Sequence, residues 1–139
     1  MNRVCVDASV AVRWLVPEAG HAAALELLDE WREVTELWAP DLLYAECANA
    51  LRRRVASGAL SLEDACAMFR ELLAAEFRTL TEREVAEEAL SIAVGAGLTV
   101  WDASYVVVAR RVGAELWTAD RQLHTRGRQA YPAIQLLVP

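Results

Sequence analysis

Arg3-Val4-Cys5-Val6-Asp7-Ala8-Ser9-Val10 decides how this chain folds. Val4-Cys5-Val6 is a short apolar run that ends in an acid, the pattern of a buried strand. Val12, Leu15 and Val16 follow at helical spacing until Pro17 stops the helix.

The same strand-then-helix pattern recurs outward along the chain. Ala22 to Glu33 predicts a helix with Leu25, Leu28 and Trp31 on one apolar face. Glu36 to Pro40 predicts a second strand, with Asp41 as N-cap of a helix running through Leu51 to about Ser57, ended by Gly58. Ser61 to Asp64 resembles a capping box opening a helix to about Ala75. Phe77 to Leu80 is a third strand, and Thr81 with Glu84 forms another capping box before a helix to about Val94, closed by Gly95 and Gly97. Val100 to Val112 is helical, Glu115 to Thr118 a fourth strand and Ile134 to Val138 a fifth. Short strands alternating with helices predict an α/β domain around a parallel sheet. With no repeat or linker, residues 1–139 are expected to form one domain. Such folds keep their sites at the C-terminal ends of the strands.

Composition narrows the functions. The chain has 139 residues, 55% hydrophobic and 24% charged, enough for a core. Its longest uncharged run, Ala89 to Trp101, is short of the roughly 20 residues of a membrane helix. Asp7 sits where a secretory leader needs apolar residues, so a cytoplasmic protein without membrane attachment is expected. All 14 basic residues are Arg and none is Lys, which removes P-loop ATPases, Schiff-base enzymes, receiver domains and haloacid dehalogenases. Cys5, Cys47 and Cys66 are widely spaced and odd in number, so buried, reduced thiols are expected.

Asp7, Asp41 and Asp120 follow strands, Asp102 lies in the first turn of the helix before strand four, and Glu46 is on the helix after strand two. Aspartates after strands commonly cap helices, and that is the expectation for Asp41. Asp7, Glu46, Asp102 and Asp120 are harder to explain as caps. Two carboxylates about 4 Å apart repel by about 1 kcal/mol in water and about 4 kcal/mol at an effective dielectric of 20. Four in one cleft call for a cation, and an all-oxygen set suits Mg2+ or Mn2+. Such ions activate water and stabilise the leaving oxygen of a phosphodiester. His21 and His124 are the only histidines, and neither forms a nucleophile triad by pattern.

Val6-Asp7-Ala8-Ser9-Val10 and Pro40-Asp41-Leu42-Leu43-Tyr44-Ala45-Glu46 with Asn49-Ala50-Leu51 resemble the first half of a PIN domain. Trp101-Asp102-Ala103-Ser104-Tyr105 and Leu116-Trp117-Thr118-Ala119-Asp120-Arg121 resemble the second half. The order and extent of these blocks are similar to the VapC toxin branch, ribonucleases of VapBC toxin–antitoxin pairs. The resemblance implies a three-layer α/β/α sandwich with a five-stranded parallel sheet, Mg2+- or Mn2+-dependent RNA cleavage, a homodimer, and inhibition by a VapB-like antitoxin. It makes Asp7, Glu46, Asp102 and Asp120 the metal-binding acids, supported by Ser9 and Thr118. Asn49, one turn beyond Glu46, either supports the site or bonds inside the core.

The net charge of −6 sits awkwardly with a nucleic-acid substrate. The basic residues are, however, concentrated near the acids. Arg52, Arg53 and Arg54 follow Glu46, and Arg121 follows Asp120. Arg52, Arg53 and Arg121 are candidates for RNA contact, with ordinary solvated faces as the alternative. Trp14, Trp31 and Trp38 are expected in the core. Trp101 is expected there too, with base stacking at the cleft as its alternative. Two other functions stay open: a non-catalytic α/β module whose acidic edge binds a basic segment, and structure-specific DNA cleavage, for which the chain is expected to lack room.

Overall fold

The computed structural model describes residues 2–33 and 35–139. In chain order the elements are β1 (Asn2–Val6), α1 (Ala8–Leu15), α2 (His21–Trp31), β2 (Thr35–Pro40), α3 (Leu42–Ala56) and α4 (Leu62–Ala74). There follow β3 (Arg78–Leu80), α5 (Glu82–Ala96), α6 (Val100–Val112), β4 (Glu115–Thr118), α7 (Arg121–Gly127) and β5 (Ile134–Leu136). Every element except α7, for which the sequence set no bounds, agrees with the expectation to within two residues at either end.

The strands form one parallel sheet in the order β3-β2-β1-β4-β5. The chain steps from β1 out to β2 and β3, then crosses to β4 and steps the other way to β5. Right-handed crossovers send the helices of these two runs to opposite faces. Accordingly α1 packs on α2, α3 and α4, while α6 packs on α5 and α7. This is the expected α/β/α sandwich. Winding reverses between β1 and β4, so the connections leaving their C-terminal ends diverge and open a crevice there. Register aligns those ends, with Val6 opposite Trp117 and Asp7 N donating to Trp117 O at 3.2 Å.

α6 is the helix that carries one acid into this crevice. Every residue from Ala103 to Ala109 is buried, because α6 lies against β1, β2, β4 and α5. The run Val106-Val107-Val108 costs about 0.5 kcal/mol per residue in helix propensity. Full burial of each valine returns about 1.5–3 kcal/mol, so packing wins. Gly113, at φ +68, takes the left-handed turn that ends α6 and leads straight into β4.

Several expectations are corrected. Leu25 is exposed, because α2 turns Ala24 and Trp31 inward; a leucine-rich stripe and a small-residue stripe are equally periodic. Cys66 is exposed on α4, whose inner face is Ala65 and Leu72, although all three cysteines are free as expected. Trp14 and Trp31 are buried and Trp38 half-buried, but Trp101 is 63% exposed at the start of α6, ahead of the buried stretch. Asp41 does not cap its own helix. Its Oδ1 instead accepts from Glu82 N at 3.1 Å, tying the start of α5 to the end of β2. No single helix among the described residues is long and apolar enough to cross a membrane.

Candidate functional site

A cleft of about 360 Å³ opens at the crevice, and Asp7, Glu46, Asp102 and Asp120 all line it. Four separate elements deliver these acids, so only the folded chain brings them together.

Asp7 is the buried one, 5% exposed at the end of β1. As N-cap of α1, its Oδ1 accepts from Val10 N at 3.2 Å and from Ser9 Oγ at 2.5 Å. Its Oδ2 accepts from Thr118 Oγ1 at 2.6 Å. The two hydroxyls have their own orientation settled by backbone donors. Ser9 Oγ accepts from Ala119 N at 2.8 Å and Thr118 Oγ1 from Asp120 N at 3.0 Å. Each hydroxyl proton is therefore turned toward Asp7, which fixes the β4–α7 turn against the end of β1. Burial pushes the Asp7 carboxyl up to about 6 against these three hydrogen bonds, and the charge of Asp102 adds to the rise.

Glu46, on α3, is half-buried, and its Oε1 accepts from Tyr105 Oη at 2.6 Å. Burial raises its carboxyl pKa; the Tyr105 bond opposes the rise, while Asp102 and Glu82 add to it. Asp102, in the first turn of α6, is raised by burial and then by the charge of Asp120. Asp120 caps α7, its Oδ1 accepting from Gln122 N at 2.8 Å and Leu123 N at 3.3 Å.

Glu46 Oε2 and Asp120 Oδ2 accept no hydrogen bond from the described residues, so each acid is anchored by one oxygen and open at the other. This anionic, all-oxygen donor set fits a hard divalent cation. Among the described residues no three Asp, Glu, His or Cys side chains close into a ready-made cage. The acids share the cleft without converging on a point, as their mutual repulsion favours.

Of the other sequence candidates, Ser9 lines the cleft and Thr118 lies fully buried beneath it. Asn49 lines the cleft and is exposed, which removes its core alternative; its Oδ1 accepts from Arg52 Nε at 2.9 Å. Arg53 lines the cleft, whereas Arg52 and Arg121 are exposed outside its wall. His124 is a half-exposed residue of α7 and takes no part in the cleft. Three polar lining residues were not among the site candidates of the sequence: Arg13, Arg54 and Tyr105. Arg54 is engaged by Glu18 through both carboxylate oxygens. Arg13 is four residues beyond Ser9, a spacing that puts the two on one helical face and could have singled it out. Tyr105 is three residues beyond Asp102 in the same way, but nothing in its neighbourhood along the chain points to Glu46.

The PIN domain family model matches residues 4–128. Ribonuclease VapC3 of Pyrobaculum aerophilum is 33% identical over 136 residues, covering 95% of this chain and 97% of the relative. Exonuclease VapC9 of the same organism is 32% identical over 128 residues, covering 91% and 95%. The crystal structure of PAE2754 from Pyrobaculum aerophilum superposes with a TM-score of 0.71 at 29% identity, covering 96% of this chain and 83% of that one. The chain belongs to the PIN-domain family, in its VapC branch.

Proposed function

We propose that this protein is a Mg2+- or Mn2+-dependent endoribonuclease, the toxin of a type II toxin–antitoxin pair. The observation that carries the proposal is the gathering of Asp7, Glu46, Asp102 and Asp120 in one cleft, with Asp7, Glu46 and Asp120 each held by a protein donor. The names of the two VapC relatives, a ribonuclease and an exonuclease, support a nuclease. In the cytoplasm the enzyme acts as a homodimer on RNA and is silenced by a VapB-like antitoxin.

The four acids would hold the ion, which would supply an activated water and offset charge on the phosphate. The chain's part is to hold the acids in place. Ser9, Thr118 and Val10 N hold both oxygens of Asp7, so its carboxylate has a single orientation. Tyr105 holds Glu46 by one oxygen and leaves the other to the cleft. The α7 N-terminus orients Asp120 by two backbone donors. With no Lys in the chain, the contacts made directly to phosphate fall to Arg.

The test is incubation of the purified, partner-free protein with an internally labelled RNA, with Mn2+ and with EDTA. Cleavage at internal bonds that needs Mn2+ and disappears in Asp7→Asn is expected. Products released only from an end would replace the endonuclease assignment with an exonuclease. An inert protein, whose melting temperature also ignores Mn2+, would refute the proposal and favour a module that binds a basic segment instead.

A further inference from the structure

Arg13 lines the acidic cleft yet makes no ion pair among the described residues. An arginine beside carboxylates ordinarily spends its fork on them. Here the guanidinium is held by a neutral acceptor: Nη1 donates to Ser9 O at 2.8 Å. The stem is confined as well. Gly20, at φ +91, lies so close that a Cβ built there would sit 2.9 Å from both Cδ and Nε of Arg13. The connection from α1 to α2 thus presses on the arginine, and His21 Nδ1 pairs with the Arg13 carbonyl at 2.6 Å to fasten that connection. A long, rotamer-rich side chain is fixed before any ligand arrives, with most of its donors uncommitted.

The other arginines of the cleft differ. Arg54 is consumed by Glu18, and Arg53 is exposed with no fixed partner among the described residues. Arg13 alone combines a lining position, a confined stem and an open fork. We propose that Arg13 is a phosphate-binding residue of the cleft, gripping non-bridging oxygens of the bound strand while the acids act on the bond to be cleaved, with Arg53 as a second, mobile arm. The inference rests on the nuclease assignment above and adds to it a residue the family resemblance did not single out. It also moves the phosphate grip away from Arg52 and Arg121, which lie outside the cleft.

The test measures cleavage of an RNA oligonucleotide with Mn2+ across a salt series. Arg13→Ala should lower kcat/KM by roughly 10- to 100-fold, the loss of one charge-assisted contact. It should also flatten the slope of log kcat/KM against log salt by about 0.7, one phosphate fewer. Arg13→Lys should recover part of the loss, having the charge without the fork. Arg70→Ala, an exposed charge removed from α4 outside the cleft wall, should match the parent. The rise in melting temperature with Mn2+ should be the same in Arg13→Ala as in the parent. Arg13→Gln keeps the stem and a donor for Ser9 O, so it serves if the alanine variant folds poorly. Unchanged KM and salt slope in both neutral variants would overturn the inference while leaving the nuclease intact. A lost Mn2+ response in both would overturn it too, making Arg13 a prop of the metal site. A parent that cuts no RNA overturns the nuclease assignment and this inference together.

Discussion

Asp7→Asn should stabilise the metal-free protein at neutral pH while abolishing its activity. The folded protein raises the Asp7 carboxyl from an ordinary 3.8 to about 6, with burial as the main cause. For an acid whose folded pKa is raised, stability is full below the unfolded pKa and is lost as pH rises through the folded one. The charge on Asp7 therefore costs about 3 kcal/mol at pH 7.5 and about half that at pH 5. Asparagine removes this cost but offers one acceptor oxygen where Ser9 and Thr118 both donate. One hydroxyl must turn away, at about 1–2 kcal/mol. The net gain is about 1–2 kcal/mol at pH 7.5, shrinking toward zero at pH 5. Urea unfolding of parent and variant in EDTA at the two pH values reads it directly. A variant less stable than the parent at pH 7.5 by more than about 1 kcal/mol, or a difference that ignores pH, would refute the account of a buried, strained charge.

Thr118→Val keeps shape but removes the donor to Asp7 Oδ2 and the acceptor of Asp120 N, so urea unfolding should show a loss of about 2–4 kcal/mol; a loss under about 0.5 would mean the relay is ornamental. Tyr105→Phe frees Glu46 Oε1 and removes the bond that opposes its pKa rise, so the increase in melting temperature at a fixed, subsaturating Mn2+ concentration should shrink, while apo stability falls by only about 1 kcal/mol. Asp41→Ala removes the acceptor at the start of α5 and should cost about 0.5–1 kcal/mol, whereas Asp41→Asn keeps the acceptor and relieves repulsion of Glu82, so it should be neutral or better. Equal effects of the two Asp41 substitutions in thermal melts would show that the cap does not matter.

What could be seen in the sequence follows the range of the interaction concerned. Thr81 and Glu84 make their capping box within one turn, and the box is present, with Thr81 N donating to Glu84 Oε2 at 2.8 Å. Asp41 carries the same local signal, but its oxygen is taken by a donor 41 residues away. Which neighbour reaches a cap first is a tertiary matter. Periodicity likewise told that α2 is amphipathic without telling that Ala24 and Trp31, rather than Leu25, face inward. Asp7 and Asp120 were visible because each directly follows a strand, where parallel-sheet topology gathers residues whatever the helix packing, and Glu46 and Asp102 because each lies near the start of a helix. Tyr105 was not, since its tie to Glu46 joins α6 to α3 across 59 residues. Trp101 misled for the same reason: the burial of α6 begins at Ala103, set by where the helix enters the sandwich rather than by hydrophobicity.

The charge of the cleft also implies an order of events. Four carboxylates face Arg13 and Arg53, while Arg54 is neutralised by Glu18, so without a cation the cleft is net negative. A phosphate brought to about 4 Å from an uncompensated carboxylate meets about 1–4 kcal/mol of repulsion for each one, depending on how well water screens the site. The two guanidiniums cannot offset four such terms, because they sit on α1 and α3 at one side of the site, whereas Asp102 and Asp120 come from α6 and α7. Under the proposed function, divalent metal must therefore offset the charge of the acids before the strand can approach productively; one ion would halve their summed charge and two would cancel it. RNA affinity should rise with Mn2+ concentration in the parent protein. In Asp7→Asn, one charge fewer, metal-free RNA binding should be tighter than the parent's even though cutting is gone.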